Sequence, residues 1–437
     1  MRNKMILLFT LLFAAINLNA QTYDLESFLN LVKQNNKDIM LAAKDLEISE
    51  TQDAMTRAAA YPNISAKAGY NRNLNEAYMY FNANDLNPEA PNVTSKFKIN
   101  YNNEFNGQAV VSQQIFNFSV FNAIKAAKQY EELSSHVYDA TEKAIINGSK
   151  KAFYQTLLLN EVWQVNKESE KNAHENYLNM KKKYEVGLAS ELQMLQAEVR
   201  WQNLIPNLTQ SERNYQLALN SLKSLAGINV EENFEIVGKL QDIDIKASKM
   251  EMVDILNNRP DYNAKLWERK LRESNVNVEF SSHLPTLAAS FVYQYSALSD
   301  EFKLERENNY LIAGLSLNIP IFSGWGTSAR VQKAEIELNK ADLELNKMED
   351  QIFIEINNLE LKLTESEKRI NSAESTLNIA KKAFNIAEIT SDNGLSTQLE
   401  LKDARLAYDQ AQLNYYVATY EYLEAYFDWE LAVGLTK

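Results

Sequence analysis

Two very long helical stretches set the strongest limit on what this chain can fold into. Residues 119–186 and 327–392 contain no proline, and the second stretch contains no glycine either. At 1.5 Å of rise per residue, each helix would be roughly 100 Å long, which is too long for an ordinary globular helix. The second stretch carries an apolar heptad stripe, with large side chains on one seam and mostly small ones on the other. The seam residues are Ile356, Leu363, Ile370, Leu377 and Phe384, and Ile352, Leu359, Ser366, Ala373, Ala380 and Ala387. Such helices must pack side by side, because one alone leaves its stripe in water.

The chain reads as two copies of one unit, because the same interruption of a long helix occurs twice. The segment YEVGLASELQML contains Gly187 and Leu188, and the segment SDNGLSTQLELK contains Gly394 and Leu395. The helix after each interruption and the helix that opens the other copy have a combined length close to that of one long helix. We therefore expect these two helices to meet end to end. The predicted domains are a first repeat at 21–227, an equatorial linker at 228–250 and a second repeat at 251–437.

Each interruption has the chemistry of a helical hairpin tip. The predicted tips lie at about 184–191 and 391–398. Gly187 and Gly394 can adopt the left-handed conformation that ends a helix. Capping-box spacings then start the next helix at both tips, with Ser190 and Gln193 in the first and Thr397 and Glu400 in the second. Two interpretations stay open: a tip that only reverses the chain, and a tip that is also exposed and meets a partner.

Four shorter segments alternate in polarity, which is the pattern of β-strands. They lie at about 62–71, 105–116, 286–296 and 310–322. Strands of about ten residues, apolar on one face and small or polar on the other, fit a transmembrane β-barrel. The candidates for contact with lipid are Phe291, Tyr293, Leu311, Leu315, Leu317 and Ile319.

Four strands cannot close a barrel, and an open sheet edge is not tolerated in lipid. The chain must therefore oligomerise if its strands span a membrane. Two copies would give eight strands around a packed interior, whereas three copies give twelve strands and room for a pore. We predict three copies. The alternative for these strands is the edge of a soluble sandwich.

Residues 1–20 have the pattern of a secretory signal peptide. Arg2 and Lys4 precede an apolar run at 5–16, and the small Ala20 precedes the predicted cleavage site. A membrane anchor is the alternative, although the run is short for a bilayer span. The formal net charge of −13 argues against a nucleic-acid partner. The absence of cysteine excludes disulfides and thiolate metal sites.

No group of residues has a spacing typical of catalysis or of cofactor binding. The three histidines, His136, His174 and His283, are scattered, and none has the spacing of a metal site. The sequence contains no phosphate-binding or dinucleotide-binding glycine loop and no nucleophile elbow. We therefore predict no enzymatic activity, no cofactor and no metal.

In their order and spacing, these features resemble the TolC-like outer-membrane efflux protein family. The resemblance rests on the duplication, on Pro62 and Pro285 before alternating strands, on IPIFSGWG and NNRPDY in the second copy, and on both tips. It implies a mainly α fold with a transmembrane β-barrel, built from a duplicated helix–strand–strand–long helix–helix unit. It also implies a homotrimer with one shared twelve-stranded barrel in outer-membrane lipid and a long α-helical tunnel in the periplasm.

The function implied by the resemblance is an exit duct in the outer membrane of a Gram-negative bacterium. Such a duct passively conducts substrates of a tripartite efflux or type I secretion system, and multidrug resistance is one outcome. Its partners would be a periplasmic membrane-fusion adaptor and an inner-membrane pump of the RND or ABC type. The alternative is a periplasmic structural or adhesive coiled-coil protein without a pore, which would not need four strands with an apolar face.

The resemblance also assigns site residues. The adaptor-docking tips would be Val186, Gly187 and Leu188, and Asn393, Gly394 and Leu395. Aligned from Gly394, the acidic gate positions of the family fall on Glu400 and Asp403, where three symmetry copies would form rings of negative charge. The arginine of the family's gate pattern is replaced by Ser396. Glu400 keeps the helix-capping interpretation beside that of a gate residue.

Overall fold

The computed structural model describes residues 21–85, 87–240, 247–393, 395 and 397–436. The predicted signal peptide, Gly394 and Ser396 lie outside the described residues. The chain divides into two compact units. The first comprises the chain up to Leu46, Ser134–Ala264 and the chain from Leu345 onward, and the second comprises Glu47–Leu133 and Lys265–Glu344. Each unit therefore draws on both predicted repeats.

The chain is mainly helical. The described α-helices are α1 (Leu25–Asn35), α2 (Lys37–Ala58), α3 (Phe118–Glu185), α4 (Glu191–Leu225), α5 (Met252–Asn258), α6 (Pro260–Phe280), α7 (Gly326–Asp392) and α8 (Gln398–Ala432). Helices α3 and α7 have 68 and 67 residues, as the two unbroken stretches of sequence predict. No helix in the described ranges combines the length and the apolar character that crossing a bilayer requires.

The heptad stripe of α7 is its buried side. Ile352, Ile356, Leu363 and Ser366 are buried, and the seam positions nearer the tip are half-buried. Two apolar cores lie in the first unit. One joins Phe28 of α1 to Phe153 of α3 and Leu423 of α8, and the other joins Ile255 of α5 to the α7 stripe and to Trp429 of α8. Packing against several neighbours, rather than helix propensity, therefore stabilises these long helices.

The opening helix of each copy is interrupted once, at Asn36 and at Arg259. The Asn36 side chain accepts bonds from the N–H groups of Asp38 and Ile39, at 3.0 and 3.2 Å, and so starts α2. Its amide also donates to the carbonyl of Leu225 at 2.9 Å. Arg259 precedes a proline, and that position disfavours the helical conformation. The backbone is extended at both interruptions, because of the Asn36 side-chain bonds in one case and the proline after Arg259 in the other.

The helix ends meet differently from the prediction. We expected the end of α4 to meet the helix that opens the second copy. Instead, Asn36 bonds Leu225 at the end of α4, and Arg259 donates to the carbonyl of Ala432 at the end of α8. Each post-tip helix therefore contacts the opening helices of its own copy. Length alone could not distinguish the two pairings, because the corresponding helices of both copies are similar in length.

The described strands form three sheets. They are β1 (Gln21–Tyr23), β2 (Asn63–Arg72), β3 (Tyr78–Asn82), β4 (Thr94–Lys98), β5 (Asn103–Phe116), β6 (Phe234–Ile236), β7 (Thr286–Ser299) and β8 (Asn308–Asn318). The main sheet has the order β2-β5-β7-β8, and all its neighbours are antiparallel. Strands β3 and β4 lie between β2 and β5 in sequence and form a separate two-stranded hairpin. Strand β6, from the predicted linker, pairs in parallel with β1.

The last strand is shorter than predicted. We expected it to reach residue 322, but β8 ends at Asn318. Pro320 has no N–H to donate to a ladder, so regular pairing ends before it. Ile319 therefore lies just outside the strand, and its contact with lipid stays a prediction. The chain then turns through Gly324 and Trp325, both at positive φ, before α7 begins.

Candidate functional site

The main sheet gathers the predicted apolar side chains of all four strands on one face. Directly paired residues of antiparallel strands point to the same side, and successive residues of a strand alternate between sides. One row of that face consists of Ile64, Val111, Phe291 and Ala313, and the next of Ala66, Ala109, Tyr293 and Leu311. Leu315 and Leu317 of β8 continue it, and the Leu315 side chain is 75% exposed. Five of the six proposed lipid-facing residues therefore share one face.

The opposite face of the sheet is mainly polar. One row consists of Lys67, Gln108, Gln294 and Tyr310, and another of Asn63, Ser112, Ser290 and Gly314. A single apolar row, Val110, Val292 and Ile312, crosses this face. Such a sheet has one face suited to an apolar environment and one suited to water.

Strands β2 and β8 are the edges of that sheet. Within the described chain, each pairs on one side only. The open sides present unpaired N–H and C=O groups along strands of 10 and 11 residues. A second chain could complete these ladders.

The first tip reverses the chain through Gly187, which has φ +76°. The N–H of Leu188 donates to the Lys183 carbonyl at 2.7 Å and closes the end of α3. Ser190 and Gln193 then form the predicted capping box that starts α4. The side chains of Val186 and Leu188 are exposed. The turn therefore holds two apolar side chains in solvent.

The second tip repeats this arrangement as far as it is described. The N–H of Leu395 donates to the Thr390 carbonyl at 2.8 Å. The Asn393 side chain donates to the Ile389 carbonyl at 2.7 Å, and so satisfies one end group of α7. Leu395 is 80% exposed, against 79% for Leu188. Both tips therefore present a leucine in the same way.

The two candidate gate residues have different surroundings. Glu400 accepts the N–H of Thr397 at 2.8 Å, and the Thr397 hydroxyl accepts the N–H of Glu400 at 3.2 Å. The backbone hydrogen bond and then the hydroxyl hold the pKa of Glu400 below its usual value. Asp403 is exposed on α8. Burial lowers the pKa of Arg200 in α4, and the negative charges of Asp409 and Asp403 oppose this shift. Glu400 is thus a helix cap, whereas Asp403 is an exposed carboxylate near α4.

Sequence reasoning missed a second exposed leucine at each tip. Leu192 and Leu399 lie in the first turns of α4 and α8, and each is more than half exposed. Aligning the two tips residue by residue would have found them, because each follows its tip leucine by one turn. It also missed the role of the buried Arg259, two of whose partners come from distant parts of the chain.

Comparison with known proteins identifies the family. The family model for outer membrane efflux proteins matches residues 28–228 and 252–434. The outer membrane protein TolC of Vibrio cholerae is 20% identical over 325 residues, which cover 71% of this chain and 68% of that protein. The toluene efflux pump outer membrane protein TtgC of Pseudomonas putida is 22% identical over 321 residues, covering 69% and 60% respectively.

The fold comparison agrees with the sequence comparison. The crystal structure of the Campylobacter jejuni CmeC outer membrane channel superposes with a TM-score of 0.78 at 19% identity, covering 94% of this chain and 85% of that one. The prediction of a mainly α fold with a duplicated helix–strand unit is confirmed. The resemblance stated from the sequence is confirmed as well. The chain belongs to the outer membrane efflux protein family, and its location is the outer membrane.

Proposed function

We propose that the protein is the exit duct of a tripartite efflux or type I secretion system. The observation that carries this proposal is the four-stranded sheet, which is apolar on one face, polar on the other and open at both edges. In a bilayer, open edges must pair with another chain. Strand β8 of one copy pairs with β2 of the next, and because the two edges differ, this head-to-tail pairing forms a ring when the rotation between copies closes. Three copies give twelve strands and a pore lined by the polar face.

The partners follow from the family and from the tips. A periplasmic membrane-fusion adaptor docks on the exposed tips that carry Val186, Gly187 and Leu188, and Asn393, Gly394 and Leu395. An inner-membrane pump of the RND or ABC type drives export through the duct. The exposed apolar side chains at both tips support this role, since a tip that only reversed the chain would not need them.

Single-channel conductance in planar bilayers, with the particle mass measured in the same detergent, tests the duct. We expect steady ionic conductance from a particle of three chains. A soluble particle without conductance would contradict the duct and favour a periplasmic coiled-coil protein without a pore.

The gate is tested on the same channel. In the trimer, three Asp403 carboxylates at the constriction bind cations. We expect Asp403→Asn to raise the conductance and to weaken block by multivalent cations. Glu400→Gln is the matched variant, because it removes the second proposed charge and keeps the capping geometry that Gln193 provides at the first tip. Unchanged conductance and block in both variants and in the double variant would rule out the gate.

Contact of the sheet with lipid predicts opposite effects for neighbouring residues of β8. Leu315→Arg places a charge on the apolar face, at a cost of about 2–4 kcal/mol near the bilayer midplane. We expect it to deplete the membrane-inserted trimer. Ser316→Arg lies on the other face and should leave the trimer largely intact. The measurement is the amount of trimer extracted from membranes, and equal loss in both variants would contradict the assigned faces.

A further inference from the structure

At both helical tips the N–H of the tip leucine closes the preceding helix with a backbone hydrogen bond, and the two tips carry different charges. Counting from Leu188 and Leu395, Lys181 in the first tip corresponds to Glu388 in the second. Lys182 and Lys183 correspond to Ile389 and Thr390, and after the turn Gln193 and Gln196 correspond to Glu400 and Asp403. The chain as a whole has a formal net charge of −13, so three consecutive lysines at a tip depart from its average. The leucines are alike at both tips, and the charged side chains near them are not.

The three lysines of the first tip are available to a partner. Lys181, Lys182 and Lys183 are all exposed, and within the described chain none makes an ion pair. Glu185 and Glu191 are the acidic residues closest to the turn in sequence, and they leave this tip with a positive balance. Lysines at a helix C-terminus also complement the helix dipole. The dipole does not require them here, because α7 is closed by the matching leucine N–H bond and has no basic residue in its last turn.

From this difference we infer that the first tip binds a helical hairpin whose apolar loop is flanked by carboxylates. The exposed Leu188 and Leu192 provide the apolar contact, and Lys181–Lys183 provide attraction at its rim. Rim charges mainly control association rate, salt dependence and the choice of partner. The second tip offers the same leucine contact with acidic residues around it, so it disfavours this hairpin and, in the proposed docking role, contacts a part of the adaptor with different rim charge. This inference rests on the proposed docking role of the tips and adds the chemistry of the partner.

The test uses two synthetic helical hairpins with the same leucine-containing loop, flanked by four glutamates in one and by four lysines in the other. Binding to the full-length protein in detergent is measured at low and moderate salt. We expect the acidic hairpin to bind, with an affinity that falls roughly tenfold between these salt concentrations, because screening weakens exposed charge pairs. The triple variant Lys181→Gln/Lys182→Gln/Lys183→Gln should show a similar loss already at low salt.

Matched variants assign the binding to one tip. The triple variant Lys368→Gln/Lys381→Gln/Lys382→Gln removes the same charge from exposed positions of α7 and should bind normally. Leu188→Ser should abolish binding of the acidic hairpin, whereas Leu395→Ser should not. Dependence on Leu395 in place of Leu188, equal binding of both hairpins, or no binding of either would overturn the inference.

Two results distinguish a failure of this inference from a failure of the proposed docking role or of the proposed exit duct. Binding that depends on Leu188 but ignores salt and the lysines would overturn the charge inference and leave the docking role intact. Conductance of the lysine triple variant is expected to match that of the unchanged protein, because the substitutions do not touch the strand sheet. If the lysine triple variant lost both conductance and hairpin binding, the inference would be overturned, because the lysines would then maintain the channel itself.

Discussion

Gly434→Ala is expected to destabilise the protein by at least about 2 kcal/mol, from left-handed strain and overpacking together. Gly434 has φ +77°, and a Cβ built on it would lie 2.5 Å from the carbonyl oxygen of Asn258. Gly227 has the same role in the first copy, with φ +66° and a Cβ position 2.7 Å from the carbonyl oxygen of Asn35. Both obstacles are backbone atoms and cannot rotate away. Denaturant titration of the helical circular dichroism in detergent measures the effect.

Gly187→Ala is the matched control for that result. Gly187 has a similar φ of +76°, but a Cβ there would meet nothing within 4 Å. Its substitution therefore carries only the conformational strain, of about 1–2 kcal/mol. We expect the unfolding midpoint to fall more for Gly227→Ala and Gly434→Ala than for Gly187→Ala. Equal shifts in all three variants would contradict the close backbone approach.

Arg259→Met is expected to lower the free energy of unfolding by about 2–3 kcal/mol, because it leaves the carbonyl of the buried Ala432 unpaired and removes the cation from two carboxylates. The Arg259 guanidinium donates to Asp261 at 2.7 and 3.0 Å, to Glu355 at 2.7 Å and to the Ala432 carbonyl at 2.9 Å. Burial acts to lower its pKa, but the bonds to and charges of Asp261 and Glu355 raise the pKa above its usual value. Both carboxylates are partly exposed, so water can solvate them in the variant and the loss stays below that of a fully buried pair.

Two further substitutions make this second prediction specific. Arg259→Lys keeps the charge but not the planar fork, so it should recover only part of the loss. Arg369→Met removes an ion pair to Glu421 of similar length, 2.8 Å, but Arg369 is 54% exposed. An exposed pair contributes less than about 1 kcal/mol. The same titration compares the three variants, and an effect at Arg259 no larger than that at Arg369 would refute its structural role.

The long helices, the tips and the strands could be predicted because each leaves a local pattern in the sequence. The unbroken stretches predict α3 and α7 almost to the residue, and the heptad seam identifies the buried side of α7. Both predicted capping boxes form. The alternating strands predict one apolar face because side chains alternate along a strand. The register then aligns the four apolar sets.

The joints between helices could not be predicted in the same way. Asn36 lies in a run without glycine or proline, and its role depends on a carbonyl 189 residues away in sequence. The partners of Arg259 on α7 and at the end of α8 lie 96 and 173 residues away. The β3–β4 hairpin was also missed, because Tyr78, Met79, Tyr80 and Phe81 do not alternate in polarity. Contacts between distant segments decide these features.

The two helix joints also bear on how a duplicated chain can diverge. In each half, a side chain at the joint binds the last carbonyls of the post-tip helix, and a glycine follows that helix end. The side chain is Asn36 in one half and Arg259 in the other, and counted back from the tip leucines Gly148 occupies the place of Glu355. A segment exchanged between the halves would therefore place Gly148 where Arg259 needs Glu355, or leave Glu355 without Arg259. The two joints are therefore held by different side chains, and exchanging segments between the halves would cost the contacts that hold each joint.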